Sequence, residues 1–151
     1  MNNIELKDFL NYKFLSNVKV NKKGNACVFT VATCDEENNA YKNNLYVWKD
    51  GVCSKLTSSN KDSGTLFIDD DTILFKSMRC EKDLERVKNG EELTSFYTIS
   101  LHGGEAKKYF EIPLHVSSIK KLEDEKYILL ASYDKDFSIA LREDKKEALL
   151  K

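Results

Sequence analysis

Residues 44–59 read NLYVWKDGVCSKLTSS. Leu45 to Trp48 is aromatic and β-branched, Lys49-Asp50-Gly51 supplies a turn, and Val52 to Leu56 leads back. Asp-Gly between two such runs is a strong local hairpin signal, because the favoured two-residue turns need positive φ at their centre. A similar text returns at 95–112 as SFYTISLHGGEAKKYFEI, again an aromatic strand, a Gly-containing turn and a returning strand. One hairpin is local structure. The same hairpin twice predicts an architecture built from repeats.

The segments that precede each hairpin share one grammar. VKVNKKGNACVFTVA (18–32), TLFIDDDTILFKSM (65–78) and SIKKLEDEKYILLAS (118–132) each hold a short strand, a polar turn and a longer, more apolar strand. The turns fall at Asn21 to Asn25, Asp69 to Asp71 and Glu123 to Lys126, so that Ala26, Thr72 and Tyr127 occupy corresponding places, 46 and then 55 residues apart. The unit is four strands: short, long, aromatic, returning. The long strands are apolar in both alternating sets, Ala26 and Val28 as well as Cys27, Phe29 and Val31, and every side chain from Tyr127 to Ala131. Successive side chains point to opposite faces of a sheet, so both faces are expected to be buried. A two-layer sandwich buries one face of each sheet, whereas a radial stack buries both. Repeats of four antiparallel strands, packed face to face, describe β-propeller blades.

The organisation read from this pattern is all-β, a partial propeller of two blades and part of a third with short terminal helices. Residues 1–16 form a helix and lead-in, 17–58 blade 1, 59–113 blade 2, 114–141 a partial blade 3, and 142–151 the start of a helix. Leu6, Phe9, Leu10 and Phe14 follow helical spacing, and strand-like text begins at Asn17. The polar stretch 33–43 reads as a mobile loop, and 78–94 as a loop able to hold a short solvated helix. REDKKEALLK (142–151) switches to helix formers without a Gly or Pro after them. With no aromatic hairpin after Tyr133-Asp134, the text reads as part of a propeller rather than a closed one.

Composition narrows the function. The chain of 151 residues is 41% hydrophobic, too apolar for a disordered segment. Its 24 Lys and Arg are offset by 25 Asp and Glu, and the Lys pairs are scattered, so no nucleic-acid partner is expected. The N-terminal stretch is charged throughout and no run approaches transmembrane length, which predicts a cytoplasmic chain with no membrane partner. Cys27, Cys34, Cys53 and Cys80 include no C-x-x-C pair and read as free thiols, with Cys27 a small hydrophobe in a strand. No metal and no cofactor are expected.

With the repeats in place, three stretches carry a resemblance: LKDFLNYKFLSNVKVNKKGNACVFTVA (6–32), NNLYVWKDGVCSKLTSSNKDSG (43–64) and GEELTSFYTISLHGGEAKKYFEIP (90–113). They are similar to the N-terminal propeller of the prolyl oligopeptidase family of serine peptidases, particularly its acylaminoacyl-peptidase-like branch. Leu56-Thr57-Ser58 matches the end of the family's first blade, while the family's Ser-Pro-Asp-Gly turns are replaced by Asn21-Lys22-Lys23-Gly24 and Asp69-Asp70-Asp71. The resemblance implies a propeller seated over a separate α/β-hydrolase domain, which follows it in sequence and carries Ser, Asp and His. It also implies that the propeller restricts access, admitting peptides and excluding folded proteins, and contributes to subunit contacts.

The chain itself offers no catalytic residues. It has no Gly-x-Ser-x-Gly nucleophile elbow, and its only candidate imidazole bases are His102 and His115. His102-Gly103-Gly104 looks like an oxyanion-hole run, but it lies where a hairpin turn needs positive φ. Asp69-Asp70-Asp71 invites a calcium reading, but it occupies the turn slot of the repeat and lacks spaced ligands. His115 follows Pro113 at the entry to the third repeat, where packing or solvent is expected. The expected partners are therefore the missing hydrolase domain and remaining blades, the parent's peptide substrates, and a second copy through an exposed blade face or sheet edge. The competing reading is a stand-alone β-rich interaction module with no enzyme parent.

Overall fold

In a computed structural model, the structure describes residues 5–123 and 126–132. A 3-10 helix (Leu6–Asn11) leads into β1 (Lys13–Val20), β2 (Ala26–Asp35), β3 (Ala40–Lys49) and β4 (Val52–Lys55), which form one antiparallel sheet in that order. A second sheet of the same order holds β5 (Asp62–Phe67), β6 (Thr72–Ser77), β7 (Thr94–Ser100) and β8 (Gly103–Ile112), with α1 (Glu81–Lys88) between β6 and β7. The hairpin of β9 (His115–Lys121) and β10 (Tyr127–Ser132) opens a third. Ala26, Thr72 and Tyr127 each begin the second strand of their sheet, as the repeat spacing predicts. The expected helix over 142–151 and the end of the third repeat lie outside the described residues.

The stack buries both faces of the second blade. Along β6, Ile73 and Phe75 turn toward blade 1, where they meet Ala26, Val28, Leu45 and Val47, together with Tyr97 and Ile99 of β7. Leu74 and Phe96 turn the other way and meet Val116, Ile119 and Tyr127 of the third sheet. Phe75, Phe96, Leu45, Ile73 and Leu74 are completely buried. Each such side chain contributes about 1.5–3 kcal/mol relative to exposure. Among the described residues, burial of both faces holds for this middle sheet alone: the strands read that way in the sequence, β2 and β10, lie in end sheets, and Ile128, Leu129 and Leu130 of β10 are exposed.

The first strand of each sheet carries a bulge, and two of the three are answered by a side chain of a neighbouring blade. In β1 the register jumps between Ser16 and Lys19 around Asn17, whose φ is 54°. In β5 it jumps between Ser63 and Leu66 around Gly64, and in the third sheet between Leu130 and Ala131, opposite Ser118 and Val116. A bulge frees backbone groups from the ladder, and buried ones require partners. The Asn17 carbonyl accepts from Thr65 Oγ1 at 3.2 Å, and the Val116 and Ser117 carbonyls accept from Lys76 Nζ at 3.1 and 3.4 Å.

Two elements differ from the sequence expectation. The N-terminal helix is a single 3-10 segment ending at Asn11, and the first strand starts at Lys13 instead of Asn17. Phe14 pairs with Ala32 and packs edge-on to Tyr41 at 6.0 Å. A helix of twelve residues is marginal by itself, so pairing with β2 wins the segment. The stretch 33–43 is not a loop: Thr33, Cys34 and Asp35 pair with Lys42, Tyr41 and Ala40, which leaves only Glu36 to Asn39 as the turn. Backbone pairing tolerates polar side chains on both faces, and polarity was the only signal of a loop. Asp35 anchors the tip by accepting from Asn38 Nδ2 at 2.9 Å and pairing with Lys42 at 3.1 Å.

Candidate functional site

The residues with catalytic potential sit apart. His102 lies in the β7–β8 turn, 68% exposed, with Nε2 3.6 Å from Asp71 Oδ1. Ser100 stands beside it, yet its Oγ accepts the backbone N–H of His102 at 3.2 Å instead of donating to the imidazole. Gly103 and Gly104 have φ of 87° and 104°, which only glycine adopts at ease, so His102-Gly103-Gly104 is the hairpin turn that the spacing predicts. His115 begins β9 and is exposed. Among the described residues, no hydroxyl or thiol donates to either imidazole.

The three aspartates of the 69–71 turn point to three separate tasks. Asp69 Oδ1 accepts the backbone N–H groups of Asp71 and Thr72 at 2.9 and 2.7 Å. Asp70 pairs with Lys23 at 3.2 Å, and Asp71 with Lys49 at 3.3 Å. Asn21 adds a donation to the Asp70 carbonyl at 3.3 Å, so the run is a turn that also ties blade 2 to blade 1. Among the described residues, no three metal-ligating side chains converge. All four cysteines are free thiols, and Cys27 and Cys53 flank Trp48 from the neighbouring strands.

Two charge networks, illegible in the sequence, fix the blades. Asp62 opens β5 and is completely buried, with Oδ1 accepting from Arg79 Nη2 at 2.8 Å. Burial alone would raise its pKa; the hydroxyls of Ser59, Ser77 and Thr57 and the Arg79 guanidinium carry it below the usual carboxylate range. Arg79 lies over the rings of Phe75 and Tyr97, 5.2 and 5.1 Å from their centroids. The second network holds α1 to the outer strands. Asp83, buried, accepts from Ser95 Oγ at 2.7 Å and pairs with Lys108 at 2.8 Å. Lys108 also meets Glu111 at 2.7 Å, and Arg86 bridges Glu91 and Glu111, each at 2.9 Å. Against its partial burial, these carboxylates push the pKa of Lys108 up to about 12. The short helix expected in 78–94 is present, but its first turn is anchored inward by a carboxylate.

One surface stands out for what it lacks. Val20 opposes Cys27 and Leu15 opposes Val31, which places them on the face of blade 1 turned away from blade 2. Leu15, Val18, Val20 and Trp48 are 62, 58, 59 and 43% exposed. Phe29 and Tyr46 stack beside them at 6.1 Å. The opposite face of the same sheet supplies the buried Ala26, Val28, Leu45 and Val47. Among the described residues this blade is apolar on both faces and covered on one.

Comparison with solved structures places this architecture. The acylaminoacyl peptidase of Pyrococcus horikoshii superposes with a TM-score of 0.63 at 21% identity, over 87% of this chain and 20% of that one. An acylaminoacyl peptidase in complex with Z-Gly-Gly-Phe-chloromethyl ketone gives 0.62 at 21% identity, with the same coverage. The β-propeller domain of the Trilobed protease from Pyrococcus furiosus, described as having an open velcro topology, gives 0.57 at 14% identity, over 80% of this chain and 34% of that one. The fold is therefore a partial β-propeller, and the chain spans between a fifth and a third of the proteins it superposes on. No family model matches the sequence, and no curated protein does.

Proposed function

We propose that the chain is the N-terminal propeller portion of a serine peptidase similar to acylaminoacyl peptidase. Its blades cover a separate α/β-hydrolase domain and restrict the access of peptides to it. The chain contributes no nucleophile, base or oxyanion donor. Its work is mechanical: stacked sheets form a rigid wall, and its interactions are with further blades, with the hydrolase domain and with passing peptide. One observation carries this reading. Two four-stranded sheets and a third hairpin stack face to face, as in proteins whose names are those of peptidases, and the outer face of blade 1 is left apolar and uncovered. Among the described residues no helix is long and apolar enough to cross a membrane.

The test is made in the source cells with an antibody raised against this chain, combined with a fluorophosphonate label for active serine hydrolases. One band several-fold larger than 17.4 kDa, carrying both signals, is expected. An unlabelled band at 17.4 kDa would overturn the reading and leave the interaction module in its place.

A further inference from the structure

Between blade 2 and the third sheet, where β5, β7 and β9 begin and β6 ends, lies a cavity of about 170 Å³. Its walls are unusual in charge. Lys61, Lys76 and His115 line it, with Ser63 and Thr94 among the hydroxyls, and no Asp or Glu does so among the described residues. Asp62, between the lining residues Lys61 and Ser63, is already engaged by Arg79.

Lys76 is held there by construction. Gly64 adopts φ +62°, and a Cβ at that position would lie 2.6 Å from Lys76 Cε, so the bulge glycine clears a path for the lysine arm. The ammonium ends on the carbonyls of Val116 and Ser117. An ammonium has three N–H donors, and two of them are used here. Among the described residues no carboxylate pairs with it, and burial lowers the pKa of the group. A half-buried cation without a counter-charge is costly, and an anion in the cavity removes that cost. Lys61 and His115 have no ion-pair partner among the described residues, and the Ser63 hydroxyl has no hydrogen bond there. At about 30 Å³ of liquid per water, the space holds about five waters, or one small anion with part of its hydration.

We propose that this cavity binds a small oxyanion, the chemistry shared by a phosphate group and a carboxylate. Lys76 makes the fixed contact, and Lys61, His115 and Ser63 close around the remaining oxygens. The site is independent of the peptidase reading, since it needs only the two sheets that form it.

The experiment is an NMR titration of the ¹⁵N-labelled full chain at constant ionic strength, with chloride as the reference salt. The probes are inorganic phosphate, acetate, and one N-acetylated tripeptide with either a free or an amidated C-terminus. Saturable shifts at the amides of Ser63, Lys76, His115 and Val116 are expected. A response to phosphate alone assigns a phosphate ligand; a response to acetate and the free tripeptide, with the amide silent, assigns a carboxylate terminus. A charge-assisted hydrogen bond supports about a tenfold or greater loss of affinity in Lys76→Met, and about threefold is expected in Lys61→Gln. Should Lys76→Met lose its dispersed spectrum, Lys61→Gln decides, because that side chain is exposed and unpaired. Absence of saturable shifts with every probe, or affinity unchanged in Lys61→Gln, would overturn the proposal.

Discussion

Removing Arg79 should cost more than neutralising Asp62, although the two share one 2.8 Å contact. The asymmetry follows from burial. Asp62 is completely buried, whereas Arg79 keeps 24% of its side chain in solvent. In Arg79→Met the carboxylate is stranded without water, its guanidinium gone and only the hydroxyls of Ser59, Ser77 and Thr57 around it. Breaking a buried pair in this way costs about 3–5 kcal/mol. The same substitution removes a cation from the faces of Phe75 and Tyr97, each worth about 0.5–1 kcal/mol at a partly exposed site. In Asp62→Asn the shape is kept and the orphaned guanidinium rehydrates, so about 1–2 kcal/mol is expected. The double variant should recover at least about 1 kcal/mol of the sum, because no lone charge remains.

The pH dependence gives a second check. Asp62 has a folded-state pKa below its ordinary 3.8. The stability it contributes is therefore present above pH 3.8 and is lost as pH falls through the folded value. Without Arg79 the carboxyl keeps its three hydroxyls but loses its cationic partner, so its pKa rises from the parent's depressed value and the penalty of Arg79→Met should shrink as pH falls below 3.8. Urea unfolding followed by far-UV circular dichroism at pH 7 and at about pH 3 measures both effects. Equal costs for the two single variants, or an additive double variant, would refute the reasoning.

Three further outcomes are expected. Phe75→Ala, which empties the centre of the blade 1–blade 2 core, should cost about 3–5 kcal/mol in the same assay, while Val52→Ala, 65% exposed on β4, should stay within about 0.5 kcal/mol. Lys108→Met strands the buried Asp83 and should release α1, costing about 2 kcal/mol once the 36% exposure of Lys108 is allowed for; amide exchange of residues 81–88 reads it. The Asp83 contribution in the parent chain is lost as pH falls below its ordinary 3.8, and that of Lys108 is complete below 10.5 and lost through about 12, so the variant should lack the alkaline limb of the stability profile. Leu15→Ser with Val20→Ser, both on the uncovered face, should leave stability within about 1 kcal/mol and lower self-association by light scattering; unchanged association would show that this face is not adhesive.

What the sequence revealed was whatever acts over short range. The hairpins at 45–56 and 94–112, the strand starts at Ala26, Thr72 and Tyr127, and the glycine turn at 103–104 rest on alternation and positive φ, both written in neighbouring residues. Local text misleads where it disagrees with long-range pairing. Lys13 to Ser16 has no strand signature until Thr30 to Thr33 lies beside it, and 33–43 looks like a loop because its side chains are polar, though its backbone pairs on both sides of the Glu36 to Asn39 turn. No candidate site residue came from motif reading, and the structure shows why: the charged groups that matter are distant in sequence. Asp62 meets Arg79 17 residues on, Asp83 meets Lys108 25 residues on, and Lys76 reaches carbonyls 40 and 41 residues on.

The bulges of β1 and β9 sit at the two junctions between blades. Their carbonyls are met by a side chain of the adjoining blade, Thr65 at the first junction and Lys76 at the second. A threonine completes its bond without charge. A lysine in the corresponding role brings a cation that two carbonyls only partly satisfy, and it does so over a bare glycine beside a cavity with no acidic wall among the described residues. Joining two blades did not require that charge, since the junction between blades 1 and 2 closes its bulge without one. The choice of lysine at position 76 therefore separates the second junction from the first, and it makes the second the place where a packing device can also hold an anion.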